Sequence, residues 1–373
     1  MSSFASFGLL GTLKKTLQEL KITKPTDIQV RAIPALMEGR SVVGVAETGG
    51  GKTLTYALPL LHQLKSLEAD GNPVSLESYP RAAIIVPTRE LGEQVSKVFK
   101  NFTHTTRLRV RVALGGTTME VARRNVSGSF EVLVATPGRL IQLLDKNLIS
   151  LHDVRTLVFD EADQMLDQGF LSDAKRIVSE CPSERQMALF SATVSGSVQE
   201  LIRTLFAHAE LIRSSGADRV VATLTTDNRK IKDGKRWPVL EKVLAQKSEG
   251  GTLIFTNTRE QCDKLATELD ERGYPCVIYR GEMDKIERRR NLKAFRDGKV
   301  ELLISTDLAS RGLDVEHVGR VINYHLPKEL ENYIHRSGRT ARAGREGLVI
   351  NFVTERDQAL MAQVEKLKHG RRS

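Results

Sequence analysis

Short apolar runs alternate with helix-like segments along the first part of the chain. Four runs of four or five residues are almost wholly apolar, which is the pattern of strands buried on both faces. They are residues 41–45, 82–86, 132–135 and 156–159. After residue 53, apolar side chains recur at the spacing of an amphipathic helix, as Leu54, Leu58 and Leu61 do. Buried strands that alternate with helices predict an α/β fold with mostly parallel sheets.

The N-terminal segment predicts two helices separated by a proline turn. Leucines between Phe4 and Leu20 recur at helical spacing, and Pro25 interrupts the pattern. A second helix is expected to begin near Asp27 and to carry Gln29. The Gln29 amide offers both donors and an acceptor, which suits recognition of an adenine edge. A solvated glutamine on a helix surface is the alternative.

A glycine-rich loop joins the first apolar run to the following helix. Its sequence is Ala46-Glu47-Thr48-Gly49-Gly50-Gly51-Lys52-Thr53. Glycines let backbone N–H groups converge on phosphate oxygens, and a helix N-terminus adds partial positive charge. In such a loop Lys52 reaches the β- and γ-phosphates, and the Thr53 hydroxyl coordinates Mg²⁺. Ala46 stands where the usual pattern has a glycine, but strand, loop and helix together indicate a nucleoside triphosphate site.

Acidic residues directly follow the apolar run at 156–159, in the sequence Asp160-Glu161-Ala162-Asp163. A carboxylate at this place in phosphate-loop enzymes holds Mg²⁺, so Asp160 is the candidate, directly or through water. Glu161 is the candidate for orienting and deprotonating the attacking water. The alternative is a group of acids that stabilises a helix N-terminus through its dipole.

Loops of small and hydroxyl residues follow three other predicted strands. Their sequences are Pro87-Thr88-Arg89-Glu90, Gly115-Gly116 and Thr136-Pro137-Gly138-Arg139. Ligands bind at the carboxyl ends of strands in open α/β sheets, and backbone N–H, threonine and arginine groups contact nucleic-acid phosphates. One such loop would be structural. Three in one domain predict a surface that binds a nucleic-acid backbone.

The second part of the chain repeats two strand-and-loop units of the first at an offset of 170 positions. Residues 84–90 are echoed by residues 254–260, and both segments end in Thr-Arg-Glu. Residues 132–136 are echoed by residues 302–306. Recurrence in register predicts a duplicated α/β domain. The second copy lacks a phosphate loop, so it is expected to partner the first copy and not to bind its own nucleotide.

Arginines recur every three residues near the end of the second part, at Arg336, Arg339 and Arg342. On a helix this spacing places them on one face, where they repel one another unless an anion lies opposite. The γ-phosphate of a bound nucleotide is the candidate anion, with Arg339 and Arg342 as arginine fingers. A solvated basic helix, with or without nucleic acid bound to it, is the alternative.

Length and composition are those of a two-domain globular protein. The chain has 373 residues and a formal net charge of +10, which favours a polyanionic partner. Residues 214–218 are small and polar without periodicity, so they predict a linker between domains 1–213 and 219–373. Three scattered cysteines, no apolar run of about 20 residues and no secretory signal predict a cytoplasmic protein without disulfides, cysteine metal sites or membrane spans.

Together these motifs resemble those of the DEAD-box RNA helicases of helicase superfamily 2. The resemblance covers nearly the whole chain, and the motifs stand in the family's order. Those not yet quoted are the isolated Phe4, Pro25-Thr26 with Ile28-Gln29, Ser191-Ala192-Thr193, Ile254 to Arg259, Thr306 to Asp314, and His335 to Gly344. The literal Asp-Glu-Ala-Asp combined with Gln29 separates this family from related helicases.

The resemblance implies two tandem RecA-like domains, with an ATP site in the cleft between them and ATP and Mg²⁺ as ligands. The ATP-binding residues that it implies are Ile22, Gln29, Glu47, Thr48, Gly49, Gly50, Gly51, Lys52, Thr53, Gly312 and Asp314, of which Asp314 would bind the ribose. The catalytic residues that it implies are Lys52, Asp160, Glu161, Arg339 and Arg342. Mg²⁺ would be held by Thr53 and Asp160.

The resemblance also implies a coupling network and an RNA surface. Coupling between the domains and between the ATP and RNA sites would rest on Asp163, Ser191, Thr193, His335 and Arg336. The RNA backbone would contact Pro87, Thr88, Arg89, Gly116, Thr136, Pro137, Arg139, Arg259, Gly281, Arg288 and Thr306. Because contacts to phosphate and sugar carry no sequence information, binding is expected to be largely independent of RNA sequence.

The chain departs from the family's pattern at four positions. Lys21 and Ile22 stand where the family has a glycine and an aromatic residue, so Ile22 cannot stack on adenine and somewhat weaker ATP binding is expected. Arg280 and Lys285 stand where the family has histidine and glutamine. The two extra cations are expected to strengthen salt-dependent RNA binding, or Lys285 to lose the polar contact of the glutamine.

The expected function is that of an ATP-dependent RNA helicase, in which RNA-stimulated ATP hydrolysis drives local unwinding of short duplexes or remodelling of RNA–protein assemblies. Two alternatives use the same motifs. One is an ATP-gated RNA clamp without processive unwinding, and the other is a DNA-directed translocase of the same superfamily. The expected partners are RNA, as a single strand or short duplex, and proteins that supply specificity, with the chain itself a monomer.

Overall fold

The chain folds into two compact units, Met1–Ala217 and Asp218–Ser373. The computed structural model describes residues 3–47, 49–74, 76–194, 196–215, 224–307, 318–340 and 347–369. Each unit has its own sheet and its own core.

The first unit has seven strands and nine α-helices within its described residues. The strands are β1 (Val42–Val45), β2 (Ala82–Ile85), β3 (Val110–Ala113), β4 (Val132–Ala135), β5 (Thr156–Phe159), β6 (Gln186–Ser191) and β7 (Glu210–Arg213). The helices are α1 (Gly11–Glu19), α2 (Asp27–Met37), α3 (Lys52–Ala69), α4 (Arg89–Thr106), α5 (Met119–Val126), α6 (Pro137–Asp145), α7 (Ala162–Asp167), α8 (Leu171–Ser179) and α9 (Gly196–Leu205), preceded by a 3₁₀ turn at Phe4–Phe7.

The seven strands form one parallel sheet in the order β3-β4-β2-β5-β6-β1-β7. Successive strand residues point to opposite faces, so Ile84 packs in the core covered by α1 to α4 and Ile85 in the core covered by α5 to α9. Burial on both faces is what the continuous apolar runs predicted. All loops that follow the strands emerge at the carboxyl edge of this sheet.

The second unit has six strands and five α-helices within its described residues. The strands are β8 (Leu224–Lys230), β9 (Gly251–Thr256), β10 (Cys276–Tyr279), β11 (Leu302–Thr306), β12 (Val318–Asn323) and β13 (Gly347–Val353), in the parallel order β10-β11-β9-β12-β13-β8. The helices are α10 (Trp237–Leu244), α11 (Arg259–Glu271), α12 (Lys285–Arg296), α13 (Leu330–Ser337) and α14 (Gln358–His369), with a 3₁₀ turn at Glu355–Asp357.

The predicted duplication is visible in the register of the strands. Ile84 of β2 lies opposite Val134 of β4, and Ile254 of β9 lies opposite Ile304 of β11. Both pairs keep the offset of 170 positions. The turn that follows is also repeated, because Thr88 and Thr258 each cap the next helix by accepting a backbone hydrogen bond. Two tandem sheets flanked by helices confirm the predicted fold class.

The N-terminal segment differs from its prediction as a single helix from Phe4 to Leu20. Gly8 has a φ of +66° and separates the 3₁₀ turn from α1, so the leucine spacing ran across a break. Helix α1 ends in a Schellman motif, in which the N–H of Lys21 donates to Gln18 and the N–H of Ile22 donates to Leu17.

Lys21 occupies the left-handed position of this motif, with a φ of +57°. Glycine is favoured there because it has no Cβ to meet the following carbonyl oxygen. Lys21→Gly is therefore expected to raise the free energy of unfolding of the first unit by about 0.5–1 kcal/mol, measured as the urea midpoint. Lys24→Gly, at a position without positive φ, is the control and should lower it. A lower midpoint for both variants would contradict this account of Lys21.

The segment predicted as a linker begins as part of the first unit. The N–H of Ser214 donates to the carbonyl of Val45, continuing the sheet pairing of β7, and the N–H of Ser215 donates to Asp27 Oδ2. Residues 216–218 lie outside the described part of the chain, so the linker boundaries stay a prediction.

Candidate functional site

The phosphate loop lies at the carboxyl end of β1. Gly49 and Gly51 have φ values of +85° and +88°, which side chains other than glycine's rarely tolerate. A Cβ on Gly51 would lie 2.6 Å from Gln29 Nε2, so no larger residue fits there without displacing the glutamine. Helix α3 begins directly after the loop, at Lys52. Loop and helix N-terminus together have the geometry of an anion site, and phosphate binding there stays a prediction.

Gln29 anchors this loop from α2. Its side chain is buried; Oε1 accepts from the Thr26 N–H (2.9 Å) and Nε2 donates to the Gly51 carbonyl (3.0 Å). Thr26 adds a hydrogen bond from its hydroxyl to the Gly50 carbonyl (2.8 Å). Gln29 is therefore a helix cap and a loop anchor at once, which ties the start of α2 to the phosphate site. Its predicted contact with adenine stays a prediction.

Asp160 lies buried at the carboxyl end of β5. Its Oδ2 accepts from the Tyr56 hydroxyl (2.8 Å), and its Oδ1 accepts from the Glu161 N–H (2.9 Å). Burial raises the pKa of Asp160 to about 6, while the nearby Lys52 ammonium opposes that rise. Lys52 itself is buried and donates to the Ala46 carbonyl (3.1 Å). A cation, a hydroxyl and a carboxylate therefore share one desolvated pocket beside the glycine loop.

Glu161 follows with a left-handed backbone, at a φ of +50°. For a residue with a Cβ this conformation costs energy, and such residues concentrate at functional sites. The unusual turn separates the directions of neighbouring carboxylates, since Asp160 is buried whereas Glu161 is half-buried. Glu161 also stands immediately before α7, so both the predicted function and the dipole alternative fit its position.

Asp163 joins this segment to the loop after β6. Its Oδ2 accepts from the N–H groups of Ala192 (3.1 Å) and Thr193 (2.9 Å) and from the Thr193 hydroxyl (3.0 Å). Its own N–H donates to Ser191 Oγ (3.3 Å). Three of the residues predicted to couple the ATP and RNA sites are thus brought together at the carboxyl edge of the first sheet.

The three predicted backbone-binding loops of the first unit are hydrogen-bonded to one another. Arg89 Nη1 donates to the Gly115 carbonyl (3.2 Å), and the Gly115 N–H donates to Thr136 Oγ1 (3.1 Å). Arg139 donates to the Thr117 carbonyl. Because β3, β4 and β2 are neighbours in the sheet, these loops form one continuous surface. Pro87, Thr88, Gly116 and Pro137 belong to the same loops.

The corresponding loops of the second unit carry ion pairs. Arg259 pairs with Glu282, and Arg280 Nε donates to Asp263 Oδ1 (2.7 Å). The Arg288 guanidinium lies over the Tyr279 ring at 5.2 Å. The extra charge expected of Arg280 is therefore partly neutralised by Asp263. Gly281 follows Arg280 after β10, and Thr306 ends β11.

Arg336 is the most extensively bonded side chain of the second unit's described part. All five of its N–H donors are used: Nε and Nη2 bind both oxygens of Asp307, Nη2 also donates to Asn257 Oδ1, and Nη1 donates to Asn323 Oδ1 and to the His325 carbonyl. Its side chain is 1% exposed and lies over the Phe255 ring. Arg336 therefore holds together the loops that follow β9, β11 and β12.

The prediction that Arg336, Arg339 and Arg342 share a helix face is wrong. Helix α13 ends at Ser337 with Gly338 as its C-cap, so the buried Arg339 lies in the turn beyond it. His335 is in the last turn of α13. The three-residue spacing continued past the helix end. Thr48, Gly312, Asp314 and Arg342 lie outside the described residues, as does the side chain of Lys285.

Four residues to which the sequence analysis assigned no role take part in these networks. Tyr56 and Thr26 contact Asp160 and the glycine loop, and Asn257 and Asp307 bind Arg336. Tyr56 carried a signal, because it stands four residues after Lys52 and shares its helix face. The other three lie within motifs quoted for the resemblance, but their bonding partners are recognisable only from the tertiary contacts.

The described ranges contain neither a cluster of metal-ligating side chains nor a membrane-spanning helix. No group of three or more histidine, cysteine, aspartate or glutamate side chains there could hold a metal ion. No helix in those ranges is long and apolar enough to cross a bilayer. The three cysteines are free thiols.

Family models match both units. The DEAD/DEAH box helicase model matches residues 26–201, and the helicase conserved C-terminal domain model matches residues 235–344. The chain is 34% identical to ATP-dependent RNA helicase CshA of Listeria monocytogenes, covering 98% of this chain and 69% of that protein. It is 32% identical to ATP-dependent RNA helicase DbpA of Bacillus subtilis, covering 98% and 74%.

Solved structures show the same similarity. Dbp5 of S. cerevisiae bound to RNA and ADP BeF3 matches 99% of this chain and 94% of its own, with a TM-score of 0.88 and 28% identity. A DEAD box protein from the hyperthermophile Methanococcus jannaschii matches 98% of this chain and 96% of its own, with a TM-score of 0.55 and 28% identity.

Proposed function

This chain belongs to the DEAD-box family of ATP-dependent RNA helicases, and from that premise we propose that RNA stimulates its ATP hydrolysis, which opens short RNA duplexes or remodels RNA–protein assemblies. The solved relative that binds both RNA and ADP BeF3 supports two ligands of these classes. Contacts to the RNA would be made with phosphate and sugar, and therefore without regard to base sequence.

The observation that carries this function is the division of one sheet edge into two halves. Strands β3, β4 and β2 end in the three connected loops with arginine, threonine and glycine, whereas β5, β6 and β1 end in the carboxylates, the Ser191-Ala192-Thr193 loop and the phosphate loop. RNA backbone and nucleotide would thus be bound by adjacent halves of one rigid sheet. The neighbouring strands β2 and β5 join the halves directly.

The ATP half fits a Mg²⁺-bound triphosphate. The glycine loop and the α3 N-terminus would bind the phosphates, Lys52 would neutralise them, and Thr53 and Asp160 would hold the metal ion. Bound Mg²⁺ supplies charge neutralisation on the phosphate oxygens. Glu161 would orient the attacking water and accept its proton, with Asp163 fixing the adjacent loop. Burial raises the pKa of Asp160, and a bound Mg²⁺ would oppose that rise by favouring the carboxylate.

The same proposal includes the other roles that the resemblance implies. Nucleotide binding would involve Ile22, Glu47, Thr48, Gly312, Asp314, Arg339 and Arg342. Coupling between the sites would involve His335 and Arg336, and RNA binding would involve Arg259, Gly281, Arg288 and Thr306. We further propose that the chain acts as a cytoplasmic monomer and that partner proteins supply specificity. Structures of Dbp5 with Gle1 and Nup159 give an example of such partners for that relative.

Steady-state ATP hydrolysis without nucleic acid, with single-stranded RNA and with DNA of matched sequence tests this function. Strong stimulation by RNA alone is expected, because 2′-hydroxyls distinguish RNA from DNA at a binding site. Equal stimulation by DNA would favour the translocase, and no stimulation by either would exclude an RNA-coupled enzyme. Hydrolysis that is stimulated by RNA, but without release of short duplexes, would favour the clamp.

The acidic limb of the pH profile is expected to report Asp160. Its pKa of about 6 means that the carboxylate needed for Mg²⁺ is lost as pH falls through that value, so kcat/KM should fall with it. The Tyr56 hydroxyl lowers this pKa by hydrogen bonding to the charged form. Tyr56→Phe should therefore move the limb upward by up to about one pH unit. Tyr79→Phe is the control, and an unmoved limb in Tyr56→Phe would contradict the assignment to Asp160.

A further inference from the structure

A groove of about 340 Å³ lies beside the edge strand β3 in the first unit. Its lining comes largely from α4 and β3 and includes Asn125 of α5. Arg89, the first residue of α4, lines the groove and also donates to the Gly115 carbonyl in the backbone-binding loops. The groove is therefore continuous with the proposed RNA surface, although none of the predicted motifs extends into it beyond Arg89.

Two lysines continue the positive charge along this groove. Lys97 and Lys100 line it, and both are exposed. Lys100 stands eleven residues after Arg89, which is about 16 Å along the helix axis. Within the described part of the chain neither lysine has an ion pair, whereas the acid that lines this groove, Glu93, is paired with Arg89 (2.8 Å). The charge of the lysines is thus available to an anion from outside the protein.

The rest of the groove suits a sugar–phosphate chain. Val112 and Leu114 give it an apolar floor. Ser96 is 3% exposed, and its hydroxyl has no hydrogen-bond partner among the described residues. Thr117 and Asn125 add polar groups to its lining. The lysines match the positively charged groove that follows the backbone in single-strand binding sites, and the other lining groups can contact sugars.

We propose that this groove extends the RNA path beyond the motif loops, with Lys97 and Lys100 binding about two further phosphates of the strand. The inference rests on the proposed function, because the strand is RNA only if the core surface binds RNA. An acidic protein segment would also meet the lysines, but the continuity through Arg89 favours the same strand that the loops bind. The occupied RNA length would then exceed that of the motif contacts alone.

Binding of oligouridylates from about 5 to about 15 nucleotides, within the range of single-strand sites, tests this extension. Affinities of the full chain with Mg²⁺ and a non-hydrolysable ATP analogue are compared with those of Lys97→Ala/Lys100→Ala. For the longest RNA, the plot of log K against log salt should become less steep in the double variant. The magnitude of its negative slope should decrease by about 0.7 per lost phosphate contact, or about 1.4 in total. Between 50 mM and 200 mM salt, the double variant should therefore lose about sevenfold less affinity than the unaltered chain loses. For the shortest RNA, affinity should be unchanged.

Lys15→Ala/Lys242→Ala removes the same charge from exposed positions on α1 and α10 and is the matched control. Equal losses of RNA affinity in both double variants would overturn the extension and point to a general charge effect. Equal losses of affinity for all RNA lengths would do the same. No loss at any length would overturn it as well. If the unaltered chain fails to bind even the longest RNA, the proposed function itself fails; binding of short RNA with no gain from length rejects only the extension.

Discussion

Replacement of Glu161 by glutamine is expected to slow ATP hydrolysis by about 10²- to 10⁴-fold while ATP and RNA still bind. Glutamine keeps the size of the side chain and the left-handed backbone turn at this position, but it cannot accept a proton from the attacking water. The hydrogen bond from the residue 161 N–H to Asp160 Oδ1 is made by the backbone, so the substitution leaves it in place. Rates at saturating ATP and RNA, together with separately measured affinities, check this expectation.

Glu184→Gln is the matched control, since Glu184 is exposed and precedes β6 at the opposite edge of the sheet. It should leave the rate unchanged. A Glu161→Gln rate within a few-fold of the unaltered chain would reject Glu161 as the base and favour the dipole interpretation of its position. Loss of ATP binding in Glu161→Gln would instead mean that the carboxylate shapes the site.

Asp307→Asn is expected to destabilise the second unit by roughly 3–5 kcal/mol, because it leaves the buried Arg336 guanidinium without its countercharge. Arg336 binds both oxygens of Asp307, and the amide offers only one acceptor in their place. The side chain of Arg336 is 1% exposed and that of Asp307 is 24% exposed, so water does not replace the lost partner. The urea midpoint of the second unit's unfolding transition measures the effect.

Asp297→Asn provides the comparison on the same unit. Asp297 pairs with Lys293 at 2.6 Å on α12, where both side chains reach solvent, and exposed pairs contribute little. The midpoint should hardly move. Equal small shifts in both variants would show that the Arg336 network is not needed for the stability of the loops after β9, β11 and β12.

The strands and the phosphate site were predictable because their signals are local. An apolar run buried on both faces reads the same in sequence and in structure, as at 132–135 and 156–159, which are β4 and β5. The offset of 170 positions predicted a duplicated α/β domain, and the pairing of β9 with β11 repeats that of β2 with β4. The tight turn at Gly49 and Gly51 was also predictable, because only glycine adopts their backbone angles freely.

Helix ends were less predictable, because residue spacing continues where hydrogen bonding stops. The row of Arg336, Arg339 and Arg342 kept its period past Ser337, where α13 ends at a glycine cap. The leucines between Phe4 and Leu20 likewise ran across the break at Gly8. In each case a glycine in the sequence marks the end of the helix. That signal is stronger evidence for a helix end than the regular spacing of leucines or arginines is for its continuation.

Pairing between distant side chains could not be read from the sequence. Gln29 was singled out for a ligand, and the sequence did not indicate that both ends of its amide also bind the protein. Arg336 was grouped with cations that need an anion opposite, but its anion is Asp307 of the same unit, and its five donors bind groups that follow three different strands. Such partners are set by the tertiary fold, which brings together residues that no local pattern relates.

The parallel order of the first sheet also governs how the chain can reach its folded state. Strand β1 pairs with β6 and β7, so Val42 meets Ala188 and Glu210, while the strands between them in sequence pair elsewhere. Large loops must close before these contacts form, which makes folding of parallel sheets slow. During synthesis on a ribosome, β1, which precedes the phosphate loop, is made first in its unit. It can pair only after β6 and β7, the last strands of that unit, have been made. The nucleotide binding proposed for this loop would therefore require that the last strands of the unit have already been synthesised.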